Sequence, residues 1–142
     1  MKNDLKKAIE ILESEGRALV LARDGAVLFK DDRRGIGPMY DIATKERESA
    51  RGSSLADKVI GKAAAMLAVD AGIENLYAAV LSEEAELVLS EAGIYCEFGK
   101  MVPFIQNREK TGKCPMERIA GDLGYEEVGT LKARLKEFLK KN

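Results

Sequence analysis

Histidine is missing from this sequence altogether. Imidazole is the commonest metal ligand and the commonest general base near neutral pH. Its absence excludes Ser-His-Asp and Cys-His catalysis within the chain, and any histidine-ligated zinc. Whatever acid–base chemistry remains falls to carboxylates, lysine, tyrosine or a thiol. Cysteine is scarce: the two present are Cys96 and Cys114, and no C-x-x-C pair occurs. In a reducing compartment both are expected to be free thiols. The amino terminus, Met-Lys-Asn-Asp-Leu-Lys-Lys, carries no apolar signal core, and no apolar run approaches the roughly 18 residues of a membrane span. A cytoplasmic protein that does not enter a membrane is therefore expected.

An excess of positive charge is lacking too. Lys and Arg number 23 against 24 Asp and Glu, a formal net charge of −1. With no basic stripe, nucleic acid is not an expected partner, because phosphate neutralisation drives that affinity. Phosphate-loop motifs are absent as well. Neither Gly61-Lys62 nor Gly99-Lys100 has the upstream glycine and following Ser/Thr of a Walker loop, and Gly35-Ile36-Gly37 is only a loop fragment.

What is present is an ordinary globular balance: 142 residues, 46% hydrophobic and 33% charged. That length reads as one domain over residues 1–142, able to bury roughly two thirds of the surface of its unfolded chain. No repeat, linker or low-complexity segment divides it.

Leu5, Ala8, Ile9 and Leu12 lie on one face of a helix over 4–15 that Gly16 ends. Short apolar runs over 18–22 and 26–30 flank Arg23-Asp24-Gly25 and predict a β-hairpin. A Gly-rich polar loop over 31–38 precedes a short helix over 39–48. Leu55, Val59, Ile60, Ala63, Met66 and Leu67 predict one long helix over 55–71, with Arg51-Gly52-Ser53-Ser54 as its break and cap. Residues 73–81 read as a buried strand, 83–92 as a helix capped by Ser82 and stopped by Gly93, and 94–102 as a further strand. A polar loop over 103–113 leads to a helix over 114–122 opened by Pro115, and a last helix spans 128–140. Helices alternating with strands after a hairpin predict a three-layer α/β/α sandwich with a mixed sheet.

Three stretches are candidates for chemistry. In Lys113-Cys114-Pro115-Met116-Glu117 the thiol stands at a helix N-terminus, where the macrodipole and nearby cations favour the thiolate. The same pattern also fits a small structural cysteine with Glu117 closing a capping box. Asp57 falls in the first turn of the expected long helix, where the dipole alone favours an acid, or where it faces a cleft at the edge of the sheet. In the loop 107–113, Arg108, Lys110 and Lys113 precede a helix start. They suit a phosphate or carboxylate, or they are simply solvated.

Zinc base deaminases carry H-x-E on one helix and P-C-x-x-C at the start of another. This chain resembles them in element order, with Leu55-Ala56-Asp57 standing where H-x-E would be and Cys114-Pro115-Met116-Glu117 where P-C-x-x-C would be. The matched ligand histidine is Leu55, the proton-shuttling glutamate is Asp57, and the second cysteine is Glu117. The chain is more closely similar to a family of uncharacterised prokaryotic proteins, a domain of unknown function. That likeness is carried by Ala56-Asp57-Lys58-Val59-Ile60-Gly61-Lys62, by Val102-Pro103-Phe104-Ile105-Gln106-Asn107-Arg108, and by Thr111-Gly112-Lys113-Cys114-Pro115-Met116-Glu117. The resemblance implies a cytidine-deaminase-like fold without the zinc site and with no cofactor, together with a degenerate pocket. It also implies a homo-oligomer, as such folds often assemble through their helices.

The first expectation is that this pocket takes a nucleotide-like or other small anionic ligand on Ser54, Asp57, Asn107, Arg108, Thr111, Lys113 and Cys114. The second is an enzyme with Cys114 as nucleophile and Asp57 or Glu117 as acid–base partner. The third is a structural homo-oligomeric scaffold.

Overall fold

The computed structural model describes residues 2–107 and 109–141. Helix α1 (Lys2–Glu15) leads into strands β1 (Leu19–Arg23) and β2 (Ala26–Asp31), followed by α2 (Gly37–Lys45) and α3 (Arg47–Ala50). Strand β3 (Ser54–Ile60), α4 (Lys62–Asp70), β4 (Asn75–Ser82), α5 (Glu83–Glu91) and β5 (Tyr95–Val102) come next. The chain ends with α6 (Pro115–Ala120), a 3-10 turn (Tyr125–Glu127) and α7 (Val128–Lys141).

The five strands form one sheet in the order β2-β1-β3-β4-β5. β1 is antiparallel to both β2 and β3, whereas β3, β4 and β5 run parallel. Leu21 stands opposite Leu55, Leu55 opposite Leu76, and Leu76 opposite Cys96, so one register line crosses four strands. The β1–β2 turn takes Asp24 and Gly25 through positive φ of 53° and 80°. That is the left-handed turn geometry Asp-Gly tolerates, and it matches the twist of the two strands. The carboxylate of Asp4 on α1 accepts the backbone N–H of Asp24 at 2.9 Å and of Gly25 at 2.8 Å, which docks the helix onto the hairpin.

Helices cover both faces, giving a three-layer α/β/α sandwich with a mixed sheet. On one face Ala8 and Leu12 of α1 pack on Val20, Ala22 and Ala56. On the other, α4 buries Ala63, Ala64, Ala65, Met66, Leu67 and Ala68 against the sheet and its neighbouring helices. Small residues let this helix approach closely, and α2, α5, α6 and α7 gather around it. Asp70 at its end takes Arg47 at 2.9 Å and Lys132 at 2.5 Å, pinning α3 and α7 to α4.

One expectation fails. The stretch expected as a single helix over 55–71 divides at Gly61 into β3 and α4. Residues Leu55 to Ile60 form a central strand, buried on both faces over much of its length, so its apolar residues recur almost continuously and fit a helical face by coincidence. Asp57 therefore lies on an extended strand, and no helix dipole acts on it as a first-turn residue.

Candidate functional site

Past the middle of β3 the sheet and its covering helices part to leave a cavity of about 540 Å³. Its floor is Asp57 and Val59 of β3, and one wall is Gly61, Ala63 and Ala64 where α4 begins. The loop from Asp32 to Ile36, with Pro38 and Met39, forms the opposite wall. Ile105, Cys114, Met116 and Glu117 close the third side. Volumes of this size accommodate small-molecule ligands.

The third side is braced by its own hydrogen bonds. The Cys114 backbone N–H donates to Ile105 O at 2.8 Å, and the Ile105 N–H donates to Glu117 Oε2 at 3.0 Å. Glu117 thus ties the segment at Ile105 to α6. It does not close a capping box on Cys114, whose own N–H is already committed. Glu117 is only 7% exposed, and its second oxygen, Oε1, has no hydrogen-bond partner. That atom lies against Gly61: a β-carbon there would stand 2.9 Å from it and 3.1 Å from Ile105 Cγ1.

Asp57 keeps partial accessibility because the cavity reaches it, yet protein surrounds it deeply enough to strip most of its hydration. Desolvation pushes its carboxyl up to about 7, against weaker opposing hydrogen bonds from the backbone of Val59 and Lys58. The Val59 N–H donates to Asp57 Oδ1 at 3.3 Å. A carboxyl titrating near neutrality in a cleft has the character of a functional group. The mouth is basic. Arg33 is spent on Asp31 and Asp41, each at 2.8 Å, and those two carboxylates raise its already high pKa. Arg34, beside it on the same loop, is exposed and makes no hydrogen bond or ion pair among the described residues.

A family model for a domain of unknown function, DUF1893, matches residues 7–139. The chain belongs to the DUF1893 family. A crystal structure of a DUF1893 family protein from Thermotoga maritima is similar to it, with 23% identity and a TM-score of 0.84 over 96% of this chain and 91% of that one. A diaminohydroxyphosphoribosylaminopyrimidine deaminase/5-amino-6-(5-phosphoribosylamino)uracil reductase from the same organism is weakly similar, with 18% identity and a TM-score of 0.47 over 69% of this chain and 36% of that one. No curated protein matches this chain.

In this DUF1893 chain the structure brings Asp57, Cys114 and Glu117 to one cavity, although they come from three separate segments. It does not bring Ser54, Asn107, Thr111 or Lys113 there. Ser54 is fully buried at the far end of β3, where its hydroxyl accepts from Asn75 Nδ2 at 3.1 Å. Asn107 and Thr111 spend their side chains on each other: Asn107 Nδ2 donates to Thr111 Oγ1 at 3.1 Å, and the Thr111 N–H donates to Asn107 Oδ1 at 3.0 Å. They close a surface turn. Lys113 is exposed and lies 5.8 Å from the centre of the Phe104 ring. Arg108 lies outside the described residues. Arg33 and Arg34 line the cavity instead. Sequence reasoning passed over them, although adjacent arginines beside Gly35 are a signal of the same kind.

The correspondence with H-x-E changes as well. Leu55 is fully buried in the core on a strand, and the residues that open α4 toward Cys114 and Glu117 are Gly61 and Ala63. Neither side chain offers a ligand atom. Among the described residues, no three His, Cys, Asp or Glu side chains gather to hold a metal ion. This wall does not fit the deaminase zinc cage, which needs three protein ligands on two facing helices. No described helix is long and apolar enough to cross a membrane.

Proposed function

We propose that this DUF1893 chain binds a small nucleotide-like or otherwise anionic molecule in the cavity between β3, α4 and α6. The observation that carries the reading is the pairing of two uncommitted groups on one largely apolar cavity. These are the Arg34 guanidinium and the Lys58 ammonium, both exposed and neither in an ion pair among the described residues. Ligand sites are mostly apolar with a few convergent polar groups, and they form beyond the carboxyl ends of parallel strands. Arg34 suits a phosphate or carboxylate, since a guanidinium offers a fork of donors to such oxygens.

A thermal-shift screen against nucleotides, nucleosides and sugar phosphates tests this reading. A ligand at a hundredfold excess over its Kd stabilises the fold by about 2.7 kcal/mol. A flat response across the three classes overturns the reading.

A second reading rests on a different observation. Asp57, poised near neutral pH, shares the cavity with the Cys114 thiol. It takes Cys114 as a nucleophile with Asp57 or Glu117 as its acid–base partner.

A further inference from the structure

At Asp57 the backbone of β3 is enclosed by Leu19 of β1 on one side and Ala78 of β4 on the other. The surface that Asp57 retains therefore belongs to its side chain, on the cavity floor. Backbone N–H groups alone serve its carboxylate, and the Val59 bond is long at 3.3 Å. The cations on the cavity do not pair with it. Arg33 holds Asp31 and Asp41, and Arg34 and Lys58 make no ion pair among the described residues. Ile36, Met39, Ala63, Ala64 and Met116 line the same cavity and have no donating side chain. A carboxylate has two oxygens and about four acceptor sites, so most of this capacity is open to an occupant of the cavity.

A carboxylate accepts and does not donate. Its two oxygens match two adjacent N–H donors, such as a ring N–H beside an exocyclic amino group. The edge of adenine or cytosine instead sets its amino group beside a ring nitrogen lone pair, which the second oxygen repels. We infer that Asp57 selects a heterocycle with a ring N–H next to an amino group, as in guanine, over adenine- and cytosine-like edges. The anionic end of such a ligand points away from the carboxylate, toward Arg34 and Lys58. This selectivity rests on the ligand-binding reading above and narrows it to one substrate class.

Calorimetric titration of the full chain at pH 8 with guanosine 5′-monophosphate and with adenosine 5′-monophosphate tests the inference. The probes share their ribose and phosphate, so the difference between them reports the base edge. Burial lifts the Asp57 carboxyl to about 7, and at pH 8 it is mostly charged. Asp32, Arg33, Arg34, Lys58, Cys114 and Glu117, the other ionisable groups on the cavity, face both probes alike. The wild-type chain is expected to bind the guanine nucleotide at least about tenfold more tightly, the scale of one hydrogen bond to a charged group. In D57N an NH2 group replaces one acceptor oxygen. An amide suits an amino group beside a ring acceptor, so the guanine nucleotide should weaken roughly tenfold while the adenine nucleotide tightens. A merely structural role for Asp57 would move both affinities together.

Equal affinity of the wild type for the two probes, or tighter binding of the adenine nucleotide, overturns the inference and leaves ligand binding intact. So does a folded D57N that keeps the guanine preference. The wild-type comparison decides the matter where D57N does not fold. Binding of neither probe, while the thermal-shift screen responds to other compounds, overturns the inference alone. Binding of neither probe together with a flat screen overturns both.

Discussion

The Gly61 α-carbon and the Glu117 carboxylate pack so closely that a β-carbon on Gly61 would stand 2.9 Å from Oε1. The backbone at Gly61, with φ −102° and ψ −172°, is one that any residue adopts, so the glycine is there for space and not for its torsion angles. Glu117 cannot swing away freely, because its other oxygen holds the Ile105 N–H. Gly61→Ala should therefore destabilise the fold by about 1–3 kcal/mol, the usual cost of overpacking. Urea unfolding measures it. An unchanged midpoint would show that the carboxylate yields at no cost.

Asp57 sets a pH dependence. Its carboxyl titrates at about 7 in the folded chain against an ordinary value of 3.8. Below the lower value both states are protonated and the residue has no effect on stability. Between the two values the unfolded chain gives up its proton while the folded one keeps it. Stability therefore falls as pH rises, by up to about 1.4 kcal/mol per pH unit, and levels off above pH 7. Asp57→Asn removes this dependence. The variant should exceed the wild type in stability at pH 8, with the difference vanishing near pH 3. The other charged groups on the cavity, Asp32, Arg33, Arg34, Lys58 and Glu117, are retained in both proteins. A constant difference across that range would refute the assignment.

Arg34 makes no ion pair among the described residues, so its loss removes little from the fold. Arg34→Glu should change stability by no more than about 0.5 kcal/mol. It should weaken ribose 5-phosphate and guanosine 5′-monophosphate alike, by tenfold or more, because a like charge replaces the anion's partner. Unaltered affinity for both probes would place the anionic end elsewhere.

The two thiols report on Cys114. Burial, with Glu86 and Glu97 nearby, pushes the Cys96 thiol up to about 11, so it holds almost no thiolate at neutral pH. Iodoacetamide at pH 7.5 should label Cys114 well before Cys96, as followed by peptide mass spectrometry. The nucleophile reading further requires Cys114 to outpace a free thiol of pKa about 8.5. A rate at or below that standard ends the reading.

Much of the fold was legible in the sequence because its signals are local. Asp24-Gly25 between short apolar runs specified a hairpin turn, and Ser82 followed by Glu83 specified a capped helix, in which the Ala85 N–H donates to Ser82 Oγ at 3.1 Å. The division at Gly61 was not legible. A central strand and the helix after it are both apolar on nearly every side, and their periodicities run together.

The site divides along the same line. The sequence by itself determined which chemistry was excluded, since a chain without histidine has none wherever it folds, and it singled out Asp57, Cys114 and Glu117 by residue type. Only the tertiary structure decided that these three share a cavity and that Asn107 and Thr111 are consumed by a turn. It also decided that Arg34, more than twenty residues before Asp57 in the chain, lines the same cavity and makes no ion pair among the described residues. The reason is physical: burial, pairing and the close packing at Gly61 depend on contacts between segments far apart in the chain, which no local pattern encodes.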